Sequence, residues 1–442
     1  MSADGAPDVQ VRDAGPPERA SGELLGVPIA RWRERTSDEL GLPKGPIVGT
    51  GHQVEWWHPG IVAKFQWAAA RSTDAPPVWL AVDTDVRDPG EIRLPVVDRG
   101  ELRSAVHRFG PRLARGAVPA GRPASVPAPF EGGSAAPALA CVSDGIAQAH
   151  DALLRNADER DAVQQLIRAI AGCTPGIGEP GAVVRTSRLL ETGIGGALLD
   201  RAQADPVACA RAFNEAVALV PRVAAALRGD GTHGTELPFW TRGEDGTRER
   251  VRAADLARLR AEGAPLWPRA FLTSLVARAA LCDRFVHGLG GGIYERATEA
   301  FARRWLGAEL PAIDVVSATL RLPFPADDGA PPVGAAERRR WWFDPEGGEA
   351  GPSEAKRAAL DEIASLPRGS TERRSRWRQM HAELAGARRA RACDLAELEA
   401  RAHADRARAR EAALRRDRTW AAVLHPPESI SLLAESIRLR AH

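Results

Sequence analysis

Two short apolar runs, Ile47-Val48-Gly49-Thr50-Gly51 and Val78-Trp79-Leu80-Ala81-Val82, each stop abruptly in polar residues. Such a run, bounded by glycine or acidic side chains, reads as a strand buried on both faces, as in a parallel sheet. Between them Pro59-Gly60 opens a segment in which Ile61, Val62, Phe65 and Ala69 recur at helical spacing, which predicts a helix over 61–70 with Lys64 in its first turn. Strand, helix and strand in that order predict an α/β fold, in which the ligand crevice lies at the carboxyl ends of the strands. Gly51-His52-Gln53 and Asp83-Thr84-Asp85 are therefore expected to face one pocket. Residues 92–97 and 313–322 read as further strands, the second returning to the same sheet.

With 442 residues the chain exceeds one ordinary core, so two or three units are expected. Residues 1–22 lack an apolar run and read as a disordered leader, not a signal peptide. Residues 23–110 form the first part of the core, and 111–140, crowded with Pro, Gly and Ala, a linker. Helical patterns over 144–171 and 197–227 make 141–265 a helical connecting region. Residues 266–325 return to the core, with a buried helix predicted over 266–286 and opened by Pro268. Residues 326–352 form a second linker, 353–418 a coiled coil and 419–442 a C-terminal segment. Within the coil, 371–418 contains no proline, and Leu384, Leu395, Leu398, Ala402, Ala409 and Ala413 share one helical stripe. Its partner is either the helix near 353–366 or another subunit.

Sixty basic residues nearly balance 58 acidic ones, so no chain-wide field draws the protein to nucleic acid or an anionic membrane, and neither is an expected partner. No stretch is apolar for long enough to cross a bilayer. The five cysteines are scattered, without a zinc or disulfide pattern, which fits a reducing cytoplasm and buried thiols. No residues are assigned to a metal. Only Lys44, Lys64 and Lys356 among the 60 basic residues are lysine, and Tyr294 is the single tyrosine. A lysine that persists against such a bias is a candidate for chemistry that arginine, which cannot be deprotonated, does not supply.

The segment 51–60 holds two histidines, a carboxamide, a carboxylate and two tryptophans. Imidazole moves protons near neutral pH, and a helix N-terminus followed by Lys64 suits an anionic group. Candidate catalytic residues are His52, His58, Lys64, Asp83 and Asp85; candidate substrate-binding residues include Gly51, Gln53 and Gly60. Asp83 and Asp85 bind a divalent cation, hold a ribose or a substrate amine, or simply cap the following loop. His287, Gly288, Gly290, Gly291 and Tyr294 frame a glycine-rich loop suited to close approach by a ligand, although its spacing is neither a dinucleotide fingerprint nor a Walker loop. The arginines of 371–418 interleave with acids and lack an aromatic ladder, so a solvated helix face is expected there, not an RNA site.

Thr50-Gly51-His52-Gln53, Pro59-Gly60 with Lys64, the strand ending Asp83-Thr84-Asp85, Pro268-Arg269, the Gly288–Tyr294 loop and the long C-terminal helix occur in an order that resembles the bacillithiol synthase family. The resemblance covers nearly the whole chain in islands, and departs from the family where Thr84 replaces a histidine, His52 replaces a glutamine and Pro59-Gly60 reverses the family's Gly-Pro order. It implies a Rossmann-like nucleotidyltransferase-type core with helical insertions and a C-terminal coiled coil that makes a homodimer. It further implies a cytoplasmic enzyme that joins cysteine to an amino-sugar conjugate, glucosaminyl-malate, through an amide, with Arg269 among the substrate contacts and ATP a candidate co-substrate. The alternatives are a non-catalytic dimeric coiled-coil scaffold with a degenerate core, and an ATP-dependent nucleotidyltransferase-like enzyme without a thiol product.

Overall fold

The structure is a computed structural model and describes residues 7–15, 22–229, 234–269, 271–325, 335–347 and 352–441. The chain divides into two compact units, one of residues 1–323 with 417–442 and one of 324–416.

The larger unit is built on a six-stranded sheet. Its strands are β1 (Asp8–Arg12), β2 (Val48–Gln53), β3 (Val78–Val82), and, after a smaller sheet of β4 (Glu91–Asp98), β5 (Glu101–Arg108) and β6 (Ala135–Pro137), β7 (Ala182–Arg185). A second small sheet, of β8 (Glu236–Arg242), β9 (Arg248–Arg252) and β10 (Leu266–Pro268), comes before the last two main strands, β11 (Arg284–His287) and β12 (Ile313–Thr319). The main sheet has the order β1-β12-β11-β2-β3-β7, parallel throughout except for β1, which runs antiparallel to β12 with Val9 opposite Ala318. The fold is thus mixed α/β, as the two apolar runs predict.

From β2 the chain moves outward one way to β3 and β7, then returns to the other side of β2 for β11 and β12. The strand order therefore reverses between β2 and β11, and the carboxyl ends of strands at such a reversal are where open α/β sheets bind their ligands, the crevice of the general rule. Two helices start there. Helix α1 (Ile29–Leu40) precedes β2; α2 (Pro59–Arg71) follows it, and a long helix (Leu289–Leu306) follows β11. Helix α2 is buried all round from Val62 to Ala68, while Ile61 and Ala69 of the predicted stripe are only half-buried, so the helix is enclosed on every side and has no single core face. It begins at Pro59, which puts Lys64 in the second turn and not the first.

Several expectations are corrected. Residues 8–12, expected in a disordered leader, form β1, because Val9 finds an apolar cluster with Val316, Leu433 and Ile437; residues 1–6 and 16–21 of that leader lie outside the described residues. The connecting region 141–265 is not purely helical: it supplies β7, β8 and β9. Its helices are α3 (Ala140–Arg155) and α4 (Ala162–Cys173), with Asp161 capping the second, then α5 (Gly193–Ala204) and α6 (Pro206–Leu219), with Asp205 capping the second. Asp caps thus split both predicted long helices. A short α7 (Ala253–Ala261) follows β9. The helix predicted over 266–286 is instead β10, a short α8 (Phe271–Val276), a π-helical turn (Ala277–Leu281) and β11. The glycine-rich loop is the first turn of α9 (Leu289–Leu306), with Gly288 as its N-cap in an extended conformation.

The smaller unit contains α10 (Ala335–Phe343), α11 (Glu354–Ser365), α12 (Thr371–Ala390) and α13 (Ala392–Arg416). Its core is Ala359 and Ile363 of α11 against Met380 and Leu384 of α12, so the nearby helix is the partner of Leu384. The single helix predicted over 371–418 is two, because Arg391 leaves helical dihedrals at φ −108°, ψ 31°. Arg388 and Arg389 suit the end of one helix and Asp394 the start of the next, to which Arg391 is paired at 2.8 Å. The break resets the phase of the stripe: Leu398 stays buried, Ala409 and Ala413 are exposed, and Ala412 is buried instead. The C-terminal helix α14 (Pro427–Ala441) belongs to the larger unit, where Leu433 and Ile437 pack against Trp67. No helix among the described residues is long and apolar enough to cross a membrane.

Candidate functional site

The end of β2 and the start of α2 form one wall of the crevice. Gly51 lies against β3, where a Cβ would come within 2.6 Å of Leu80, so only glycine permits that strand spacing. Lys64, 3 % exposed, donates from Nζ to the carbonyl oxygen of Gly51, and burial lowers its pKa to about 7. Burial thus makes the neutral amine far more accessible near neutral pH than it is for an exposed lysine. His52 approaches Glu55 at 3.4 Å, and Glu55 approaches Arg87 at 3.6 Å, tying the loop after β2 to the loop after β3. Burial, then the charge of Lys64, lowers His52 to about 4. Gln53 closes the strand, with its carbonyl accepting from the Trp57 indole at 3.1 Å.

His58 caps α2: its Nδ1 accepts from Gly60 N–H at 3.1 Å. An accepting Nδ1 puts the proton on Nε2 of a neutral ring, in keeping with a pKa lowered to about 4, first by burial and then by Arg418. Gly60 itself allows α2 to close on β12, since a Cβ there would lie 2.8 Å from the Ala318 carbonyl oxygen.

The two aspartates after β3 part company. Asp83 is fully buried and accepts from Thr186 Oγ1 at 2.8 Å and from the Ser187 amide and hydroxyl at 2.9 and 2.6 Å. Burial raises its pKa against those donors. It therefore acts as a strut holding the turn after β7 to β3, with its carboxylate committed. Asp85 remains part-exposed, 3.5 Å from Arg248, which also donates to the Thr84 carbonyl at 2.9 Å.

Across the crevice, His287 ends β11. Its Nε2 is 3.1 Å from Glu295, while its Nδ1 faces the backbone of Gly291, where a Cβ would intrude to 2.4 Å. Burial pushes Glu295 up, but His287 and Arg278 outweigh it and hold the carboxyl at about 2. Arg278, 1 % exposed and carried on the π-helical turn, also donates to the Pro311 carbonyl. The ring of His287 is thus turned into this buried relay and orients α9. Gly288 caps α9 and Gly290 lies in its opening turn, directly after the end of β11, where the first N–H groups of a helix have no intrahelical partner. Tyr294 packs on Phe271 at 5.1 Å, and burial, then Glu295, raises its pKa.

Arg269 is paired with Glu236 in the interior and donates to the Ala225 carbonyl at 3.2 Å. Its guanidinium lies 4.6 Å from the ring of Trp240. The structure therefore brings together His52, His58 and Lys64, leaves Asp85 beside Arg248 after the end of β3, and gives Asp83, His287 and Arg269 to buried networks. Residues missed in the sequence reading are Arg248, Trp240, Thr186, Ser187, Arg418 and His425, which reach the site from elements far away in the chain. His425, 2 % exposed, has its pKa lowered to about 4 by burial. No local spacing signals them.

Clefts of ≈ 510 Å³ and ≈ 250 Å³ open at the opposite, amino end of β2 and β11, around Arg33 and Asp283 and around Arg71 and Arg284. The carboxyl end is preferred as the site because the perturbed histidines and Lys64 converge there. Among the described residues no group of three His, Cys, Asp or Glu side chains is placed to hold a metal. The chain matches no known protein family and no curated protein.

Proposed function

We propose that the larger unit is a Rossmann-like core of the nucleotidyltransferase type, and that the crevice between β2 and β11 forms amides between small amino or thiol metabolites, in the manner of the bacillithiol synthase family. The observation that carries this reading is the placement of His52, His58 and Lys64, all with pKa values lowered first by burial, at the point where the strand order reverses.

Amide formation requires a base to take the proton of the attacking amine and donors for the oxygen of the acyl carbon. His52 is the base, Lys64 and the first N–H groups of α9 are the donors, and Asp85 orients the amine. With ATP as co-substrate, the cysteine carboxylate would displace pyrophosphate to give an acyl-adenylate, the amino-sugar nitrogen would bond to its carboxyl carbon as the bond from that carbon to the AMP oxygen breaks, and the amine proton would pass to His52. The α12–α13 region is the proposed dimer-forming coiled coil.

Incubating the full chain with cysteine and glucosaminyl-malate, with and without ATP, tests the reading by mass spectrometry. The expected result is the amide product, lost in His52→Ala. Absence of product, with no rise in melting temperature on adding any of the three compounds, overturns it.

A further inference from the structure

The small sheet β8–β10 carries a cluster that the mechanism above does not use. Trp240 sits on its middle strand, opposite Arg250 on one side and Trp267 on the other. Two guanidiniums lie near its indole, Arg248 at 4.3 Å and Arg269 at 4.6 Å. Bringing two like charges onto one ring costs folding energy, and each is partly desolvated.

The partners differ. Arg269 is satisfied by Glu236 and the Ala225 carbonyl, deep in the unit. Arg248 gives one nitrogen to the Thr84 carbonyl and lies 3.5 Å from Asp85, with a side chain 22 % exposed. Its fork is thus braced at one prong and lies over Trp240, beside Asp85 and just beyond the end of β3. The charged groups facing it are Asp85 and Arg269; Glu236 stands behind Arg269 and also pairs with Arg250 at 3.4 Å. Three arginines against two carboxylates leave one positive charge.

We infer that Arg248, held over Trp240 and fixed by the Thr84 carbonyl, is a specificity-determining residue that takes a carboxylate of the substrate beside Asp85, just beyond the carboxyl end of β3. A planar, pre-oriented fork matches a planar carboxylate, and a single surplus charge suits one carboxylate of a dicarboxylate, whose second charge stays in solvent, better than a phosphate that carries its charge on one group. The inference rests on the crevice being the substrate site.

Calorimetric titration of the full chain with succinate, succinamide and inorganic phosphate tests it. Succinate is expected to bind at least ten-fold more tightly than succinamide and more tightly than phosphate. Arg248→Lys, which keeps the charge and loses the fork, is expected to weaken succinate at least five-fold, with the unliganded melting temperature within two degrees; Arg250→Lys is expected to change it less than two-fold. Succinate binding no tighter than succinamide or phosphate overturns the inference on the native chain alone, as does equal weakening by both lysine variants. Where cysteine and glucosaminyl-malate give no amide but succinate still binds through Arg248, the reaction reading falls and this one stands. Where the amide forms and Arg248→Lys leaves the KM for the conjugate unchanged, this one falls alone.

Discussion

The ammonium of Lys64 donates to the carbonyl oxygen of Gly51, thirteen residues earlier at the end of the preceding strand. The contact latches the second turn of α2 to the strand that feeds it, and it places the chain's most buried amine beside His52. The latch has a pH signature. With a folded pKa of about 7 against an ordinary 10.5, the folded state refuses a proton that the unfolded chain accepts across that window. Stability on this account declines as pH falls from 10.5 to 7 and is level below. Lys64→Met removes the dependence, so its stability relative to the native chain is expected to rise between pH 9.5 and pH 6.5 in urea unfolding. An identical difference at both pH values would refute the assignment.

The histidines act in the next window down. His52, His58 and His425 each sit near a pKa of about 4, below the usual 6.5, with burial the first cause in all three. A depressed histidine pKa means that acid favours the unfolded chain, so stability is lost as pH falls from 6.5 to 4 and is level below. His58→Asn keeps a capping side chain at the start of α2. The variant is expected to lose less stability than the native protein between pH 6.5 and 4.5, measured by thermal unfolding in matched buffers; a larger loss would contradict the neutral capping role of His58.

Arg278 and Glu295 form a buried pair, 1 % and 2 % exposed. Removing one partner leaves the other charge without compensation, which costs about 3–5 kcal/mol. Arg278→Met is expected to lose that much in urea unfolding. Because the Glu295 carboxyl is held at about 2 against an ordinary 4.5, its contribution is present above pH 4.5 and fades as pH falls toward 2. Glu295→Gln should therefore differ most from the native chain above pH 4.5. A loss under 1 kcal/mol for Arg278→Met would show the relay from Arg278 to His287 to be dispensable.

In the smaller unit the core is thin, resting on Ala359, Ile363, Met380 and Leu384. Ile363→Ala is expected to cost about 2–5 kcal/mol there. Hydrogen exchange should quicken in Glu354–Ser365 and Thr371–Ala390 while the amides of Pro59–Arg71 keep their protection. Equal quickening in both regions would mean that the two units unfold as one.

The β2–α2–β3 segment was legible because its signals are local: an apolar run, a proline-opened helix and glycines where strands approach closely. The same holds for β12, whereas the pairing of α11 with α12 was one of two partners the sequence allowed, the other being a second subunit. Helix ends were harder to place. Asp161 and Asp205 each act as a cap inside a stretch whose apolar period continues on both sides, so periodicity alone joins what the caps divide. The Gly288–Gly292 run misled for a related reason: glycines needed for tight packing of α9 against His287 and Val315 look the same in sequence as glycines of a loop. Asp83 and Asp85 are two residues apart and have opposite fates, one locked by Thr186 and Ser187 and the other beside Arg248. Their partners lie about a hundred or more residues away in the chain, which no spacing rule reaches.

Arg71, at the end of α2, donates to the carbonyl of Ala441 at 2.9 Å, 370 residues further on. At about 5–20 residues per second, a ribosome takes roughly 20–70 s to make the intervening chain. Through that interval Trp67 lacks Leu433 and Ile437, two of its core neighbours, and the apolar back of α2 stays uncovered. The helix that carries His58 and Lys64 is thus among the first made and the last sealed, and a nascent chain stalled before residue 427 offers that surface to chaperones.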